Sequence, residues 1–188
     1  MSNRVCPWWL GYLLASPLRR LLQDPAAIVK PYVSEGMTAL DIGCGMGFFS
    51  LPLAGLVGKT GRVVCVDLQE KMIGGLVRRA EKAGLSERID ARVCRKDSLG
   101  LGDIVKEIDF AIAFALVHEV PDKERLFSEI HKTLKEGAKL LLAEPTGHVS
   151  GSDFETTLSI ARREGFELVG KLDIRRSRAV LLQKEHSK

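Results

Sequence analysis

The feature that most constrains this chain is an alternation that begins at Thr38. Short apolar runs with strand character take turns with longer segments of helical period. TALDIG, GRVVCVD, IDARVC, IDFAIAFA and AKLLLAE read as strands. FFSLPLAGLVG, QEKMIGGLVRRAEKAG and PDKERLFSEIHKTLKEG lie among them as helices. In the last of these, Leu126, Phe127, Ile130 and Leu134 share one face, and Gly137 reads as its end. Strands joined through helices require right-handed crossovers, hence a mainly parallel sheet covered on both faces. A further helix, SDFETTLSIARREG, opens on a capping box of Ser152 and Glu155. FELVGKL and RAVLLQK follow with only the link DIRRS between them, which predicts antiparallel pairing. The expectation is an α/β, Rossmann-like, doubly wound sheet in one domain. Residues 38–188 form its core, and residues 1–37 form an N-terminal helical cap or lid.

A length of 188 residues suits a single domain with a proper core. The net charge of +4 is spread evenly, too mild to mark a nucleic-acid surface, and no nucleic-acid partner is expected. The compact basic run Arg175 to Arg178 reads as a solvated turn or as a contact for an anionic substrate. Four cysteines, Cys6, Cys44, Cys65 and Cys94, show no metal-ligand spacing, so no metal is expected. Cys65 and Cys94 read as small core residues. The stretch CPWWLGYLLASP is too short to span a bilayer and lacks the charge and cleavage site of a signal peptide. A cytoplasmic protein without a membrane span is the expectation.

Gly43, Gly45 and Gly47 alternate directly after the first strand. In an open α/β sheet such a turn lies where ligands bind, beyond the carboxyl ends of the strands. The spacing G-x-G-x-G departs from the dinucleotide pattern G-x-G-x-x-G, and Phe48 takes the place of that pattern's last glycine. Asp41 sits inside the strand, two residues before the first glycine. A carboxylate there repels a pyrophosphate and attracts an ammonium or a sulfonium. The loop therefore favours a ligand with a cationic end.

At these residues the sequence resembles the class I S-adenosylmethionine-dependent methyltransferases. LDIGCGMG is similar to their first motif, VVCVDLQEKM to the second and CRKDS to the third. IDFAIAFALVHEV resembles the fourth, and LKEGAKLLLAEP the strand after it. The segments run in order from Thr38 to Pro145. The small-molecule branch that includes the ubiquinone and menaquinone biosynthesis methyltransferases looks most similar. The resemblance implies a seven-stranded sheet with an antiparallel last strand, and S-adenosylmethionine as cofactor. It implies cofactor contacts at Asp41, Gly43, Cys44, Gly45 and Gly47, then at Asp67, Leu68, Asp97, Ser98 and Phe114. Asp67 would accept the ribose hydroxyls and Asp97 the adenine amino group. A small nicotinamide-dependent oxidoreductase and a non-catalytic S-adenosylmethionine-binding module remain the alternatives.

Methyl transfer needs alignment, a dry pocket and sometimes a base. The candidates for catalysis are His118 and Glu119, just after the fourth strand. Their other reading is a cofactor contact or a cap of the local turn for His118, and a cap of the next helix for Glu119. Glu144 ends the fifth strand and reads as a substrate contact or an ion-pair partner. His148 lies in a glycine- and serine-rich loop and reads as a residue reaching the same rim or as an exposed loop histidine. Trp8, Trp9 and Tyr12 read as a water-excluding lid or as core packing of a leading helix. Cys6 and Cys44 raise the idea of a soft metalloid acceptor. No Asn-Pro-Pro-aromatic, Asp-Pro-Pro-aromatic or Pro-Cys motif follows the fourth strand. With no large insertion near the site, a small-molecule acceptor is the expectation.

Overall fold

The computed structural model describes residues 23–185. Trp8, Trp9, Tyr12 and Cys6, with most of the expected N-terminal cap, lie outside the described residues. Seven strands form one sheet in the order β3-β2-β1-β4-β5-β7-β6. The chain divides into two compact units at Cys94 and Arg95.

The first unit opens with α1 (Pro25–Val29), started by Asp24, whose carboxylate accepts from Ala26 N at 2.9 Å. It continues with β1 (Thr38–Ile42), α2 (Ser50–Leu56), β2 (Arg62–Asp67), α3 (Glu70–Lys82) and β3 (Ile89–Val93). β1 pairs with β2, and β2 with β3, both in parallel. A parallel strand covered on both faces must be apolar along its whole length. β2 meets that demand, with Val63, Val64, Cys65 and Val66 all buried. Cys94, by contrast, is only half-buried.

Helix α3 carries Gly74 and Gly75, which ordinarily weaken a helix. A β-carbon on Gly75 would stand 2.8 Å from Cγ of Met46, so this glycine lets the helix close onto the glycine-rich turn. Gly74 has no such role: an added β-carbon there meets only an Arg78 nitrogen at 3.5 Å.

The second unit holds β4 (Ile108–Phe114), α4 (Lys123–Thr133), β5 (Leu134–Pro145), α5 (Gly151–Arg163), β6 (Phe166–Leu172) and β7 (Ser177–Lys184). β4 and β5 are parallel, while β7 runs antiparallel to both β5 and β6. The buried face of α4 presents Leu126, Phe127 and Ile130, and Phe127 meets Phe166 edge-on at 5.9 Å.

Two helix boundaries differ from expectation. α4 stops at Thr133, not at Gly137, and Leu134 instead opens β5 opposite Ile108. Lys184 explains the early stop: its buried ammonium donates to His131 O at 3.0 Å and Leu134 O at 2.9 Å. It also pairs with Glu136 at 3.3 Å. The end of α4 is thus capped by a cation from the last strand. α5 begins two residues early, capped by Ser150, which accepts from Asp153 N at 3.1 Å. Ser150–Asp153 has the same spacing as Ser152–Glu155, so sequence alone does not separate the two. Among the described residues, no helix is long and apolar enough to cross a membrane.

Candidate functional site

In the first unit the candidates gather where β1 and β2 end. Gly43 N and Cys44 N both donate to Val66 O, at 2.8 and 3.1 Å, which ties the glycine turn to the end of β2. Gly43, Gly45 and Gly47 all adopt positive φ. At Gly47 a β-carbon would also lie 2.5 Å from Cδ1 of Leu76 on α3. The tight helix contact therefore falls on Gly47. Phe48 and Phe49 are buried in the turn before α2, which starts only at Ser50. This is how the chain accommodates a bulky ring where the dinucleotide pattern has its last glycine.

Asp67 faces the turn from β2. Its Oδ2 accepts from Gly45 N and its Oδ1 from Gln69 N, each at 2.9 Å. Each oxygen keeps a second lone pair for a further donor. Burial raises the carboxyl above its ordinary value, against the lowering effect of those two N–H bonds.

Asp41 is only 3% exposed, and its Oδ2 accepts from the Ser50 hydroxyl at 2.6 Å. Burial pushes its carboxyl up to about 7; the Ser50 bond lowers it, and the neighbouring Asp67 charge raises it again. The sequence reading gave Asp41 a standing negative charge. The structure makes that charge conditional on something cationic arriving, because no described lysine or arginine forms an ion pair with Asp41 or Asp67.

Cys44 is buried between the glycines, and Leu68 is half-buried after Asp67. The Cys44 thiol is held well above its ordinary value by the Cys65 thiol beside it and by burial. A thiol held protonated is a poor ligand for a soft acceptor.

In the second unit the third-motif residues sit at the surface. The Asp97 side chain is 65% exposed and pairs with Arg95 at 3.4 Å. Ser98 donates to Glu129 at 3.2 Å. Phe114 ends β4 and is half-buried.

Immediately beyond Phe114, Ala115 takes φ +57, a rare conformation for a residue with a β-carbon. Its N–H donates to Ala143 O at 2.7 Å. This corner swings the short turn Val117–Glu119 toward β5. Glu144, 2% exposed, accepts there from Val117 N at 2.7 Å through Oε1 and from His118 Nδ1 through Oε2. The Glu144 bond raises the His118 pKa above its ordinary value, against the opposing effect of burial. Glu119 Oε1 stands 3.9 Å from His118 Nε2, and the His148 ring meets His118 edge-on at 5.7 Å.

Glu119 does not cap α4. Asp122 does, accepting from Arg125 N at 2.9 Å. Sequence reasoning allowed Glu144 an ion-pair partner but did not identify His118 as that partner. It also missed Ser50 as the partner of Asp41; no local motif marks either link. In the basic run, Arg175 and Arg176 are exposed, and half-buried Arg178 donates to Val149 O at 3.2 Å.

Comparison with known proteins gives a consistent picture. A family described as a methyltransferase domain matches residues 33–169. A ubiquinone/menaquinone biosynthesis C-methyltransferase from Hydrogenovibrio crunogenus is 30% identical over 118 residues, 63% of this chain. That match takes in only 46% of the relative's length. A carboxy-S-adenosyl-L-methionine synthase from Dichelobacter nodosus is 29% identical over 177 residues, covering 87% of this chain and 73% of that protein. A solved S-adenosylmethionine-dependent methyltransferase from Aquifex aeolicus superposes with a TM-score of 0.85 at 24% identity, over 95% of this chain and 99% of that one. The structural likeness supports the same fold.

Proposed function

The chain belongs to the methyltransferase-domain family, whose methyl donor is S-adenosylmethionine, and we propose that it transfers that methyl group to a small-molecule acceptor by in-line displacement. The observation that carries the proposal is the carboxyl pair at the glycine turn. Asp41 and Asp67 are both buried and both raised, and no described basic side chain pairs with either. A cation seated there relieves their mutual repulsion and lets both ionise. A pyrophosphate would compound it. The donor set thus fits a cofactor with a sulfonium and an ammonium.

Bound there, S-adenosylmethionine supplies a methyl carbon activated by positive sulfur. The chain's own residues bind and orient. Gly43, Cys44, Gly45 and Gly47 bring backbone close to the ligand. Asp67 accepts the ribose hydroxyls through its unused lone pairs while Gly45 and Gln69 hold its carboxylate in place. Leu68 supplies apolar contact next to Asp67. The relatives named for quinone biosynthesis and carboxy-S-adenosylmethionine synthesis both point to small molecules as the substrate class.

Calorimetric titration with S-adenosylmethionine and with NADH tests the reading. Binding of the first and neglect of the second is expected. The reverse outcome overturns the proposal.

A further inference from the structure

β3 ends the strand order, with β2 on one side and no described strand on the other. In a parallel ladder, alternate residues turn both backbone groups toward the neighbouring strand. Cys94 N donates to Asp67 O at 2.9 Å, so Asp90 and Arg92, in step with Cys94, direct their N–H and C=O groups at β2. Ile89, Ala91 and Val93 direct theirs outward. The Ile89 N–H is taken by Ser86 O in the turn before the strand. Among the described residues, the outward N–H and C=O groups of Ala91 and Val93 have no partner. Such an edge is a template for another strand.

The side chains of β3 make the strand its own complement. Asp90 and Arg92 share one face and pair with each other at 2.8 and 3.0 Å. Ile89, Ala91 and Val93 share the other, where Val93 is 52% exposed. Laid antiparallel against a copy of itself about Ala91, the strand sets Asp90 opposite Arg92 and Ile89 opposite Val93. Opposite charges facing across an antiparallel pair stabilise it, and like charges oppose it. The same register brings outward backbone groups face to face, Ala91 with Ala91 and the Val93 N–H with the Ile89 C=O. A slip of one residue would set outward groups against inward ones. Parallel pairing in register would set Asp90 beside Asp90. The other terminal strand, β6, carries a bulge between Leu168 and Gly170, a device that blunts an edge. β3 keeps an unbroken register from Ile89 to Val93.

We propose that β3 pairs antiparallel with β3 of a second copy of this chain, about a twofold axis at Ala91, so that two sheets join edge to edge. The two Ala91 residues exchange N–H to C=O bonds, and each Val93 N–H donates to Ile89 O of the other copy. Asp90 and Arg92 of the two copies alternate in sign across the seam, and the small Ala91 side chain stands at the axis. A strand pair of this length buries little area, so the dimer is reversible and concentration-dependent. The inference uses no feature of the cofactor turn and stands apart from the methyl-transfer reading.

Sedimentation velocity across a concentration series, paired with amide exchange read by NMR, tests it on the full chain. Wild type should dimerise reversibly, and the Ala91 and Val93 amides should gain protection as the dimer fills. Ala91→Pro removes an N–H that the β2 ladder does not use, so the fold should hold while the dimer dissociation constant rises about tenfold or more. Asp90→Arg and Arg92→Asp should each self-associate more weakly than wild type. Mixed together they should form a heterodimer, and the double variant Asp90→Arg/Arg92→Asp should regain self-association. Loss of the internal Asp90–Arg92 pair weakens each single variant too, but a second molecule cannot repair a merely structural defect, so the mixture decides. A wild type that stays monomeric up to about 1 mM overturns the proposal. So does a dimer that Ala91→Pro leaves unchanged, or a mixture of the two charge variants that associates no better than each alone.

Discussion

The Ser50 hydroxyl donates to Asp41 at 2.6 Å across the glycine turn, at the first residue of α2. That bond holds a carboxyl which burial has moved from 3.8 to about 7. The turn therefore stores a group that is nearly indifferent between its charged and neutral forms at physiological pH. A cation tips the balance.

Asp41→Asn should separate stability from binding. The folded protein holds the Asp41 proton more tightly than the unfolded chain does. That stabilisation is fully present below about pH 4 and is lost as pH rises through about 7. Asparagine can still accept from Ser50 and has nothing to ionise. The variant's stability relative to wild type should thus grow between pH 5 and pH 8, by about 2–3 kcal/mol, the rest of the effect of that shift lying below pH 5. Thermal melts across that range check the trend. A pH-independent difference would show that Asp41 does not titrate there.

Asp67→Ala should weaken S-adenosylmethionine binding by about 1–3 kcal/mol, through lost charge-assisted hydrogen bonds. It also frees Gly45 N and Gln69 N, so the turn loses an anchor. Calorimetry at fixed pH reads the effect. Unaltered affinity counts against the ribose assignment.

Gly47→Ala and Gly74→Ala should move stability in opposite directions. Gly47 has φ +84 and a β-carbon position 2.5 Å from Leu76, so the change should cost about 2 kcal/mol or more. Gly74 sits in α3, where an added β-carbon makes only an ordinary van der Waals contact with the Arg78 side chain at 3.5 Å, and alanine there should add up to about 1 kcal/mol. Denaturant melts of the two variants give the signs.

Lys184→Ala should destabilise by about 2–4 kcal/mol, because it strips a buried donor from His131 O and Leu134 O and leaves Glu136 without this partner. Urea unfolding at neutral pH measures it. A change under about 0.5 kcal/mol would mean that the end of α4 finds another cap.

The alternation of strand and helix was legible because each element's period is local. The antiparallel return of β6 and β7 was legible from the length of one link. What escaped was set by distant residues. Leu134 keeps the helical spacing of Leu126, Phe127 and Ile130, yet its pairing with Ile108 and the Lys184 cap draw it into β5. His118 and Glu144 stand 26 residues apart, and only the corner at Ala115 brings them together. Asp41 was visible as a carboxylate. Its burial, which decides whether it is charged, was not.

The central claim is that the carboxyl at Asp41 is released from its proton by a cationic ligand. Proton exchange on S-adenosylmethionine binding at pH 6.5, measured calorimetrically in buffers of different ionisation enthalpy, tests it most directly. Wild type should release a substantial fraction of a proton per molecule bound, relative to Asp41→Asn. Equal proton exchange in the two proteins, or net uptake by wild type relative to the variant, would contradict it.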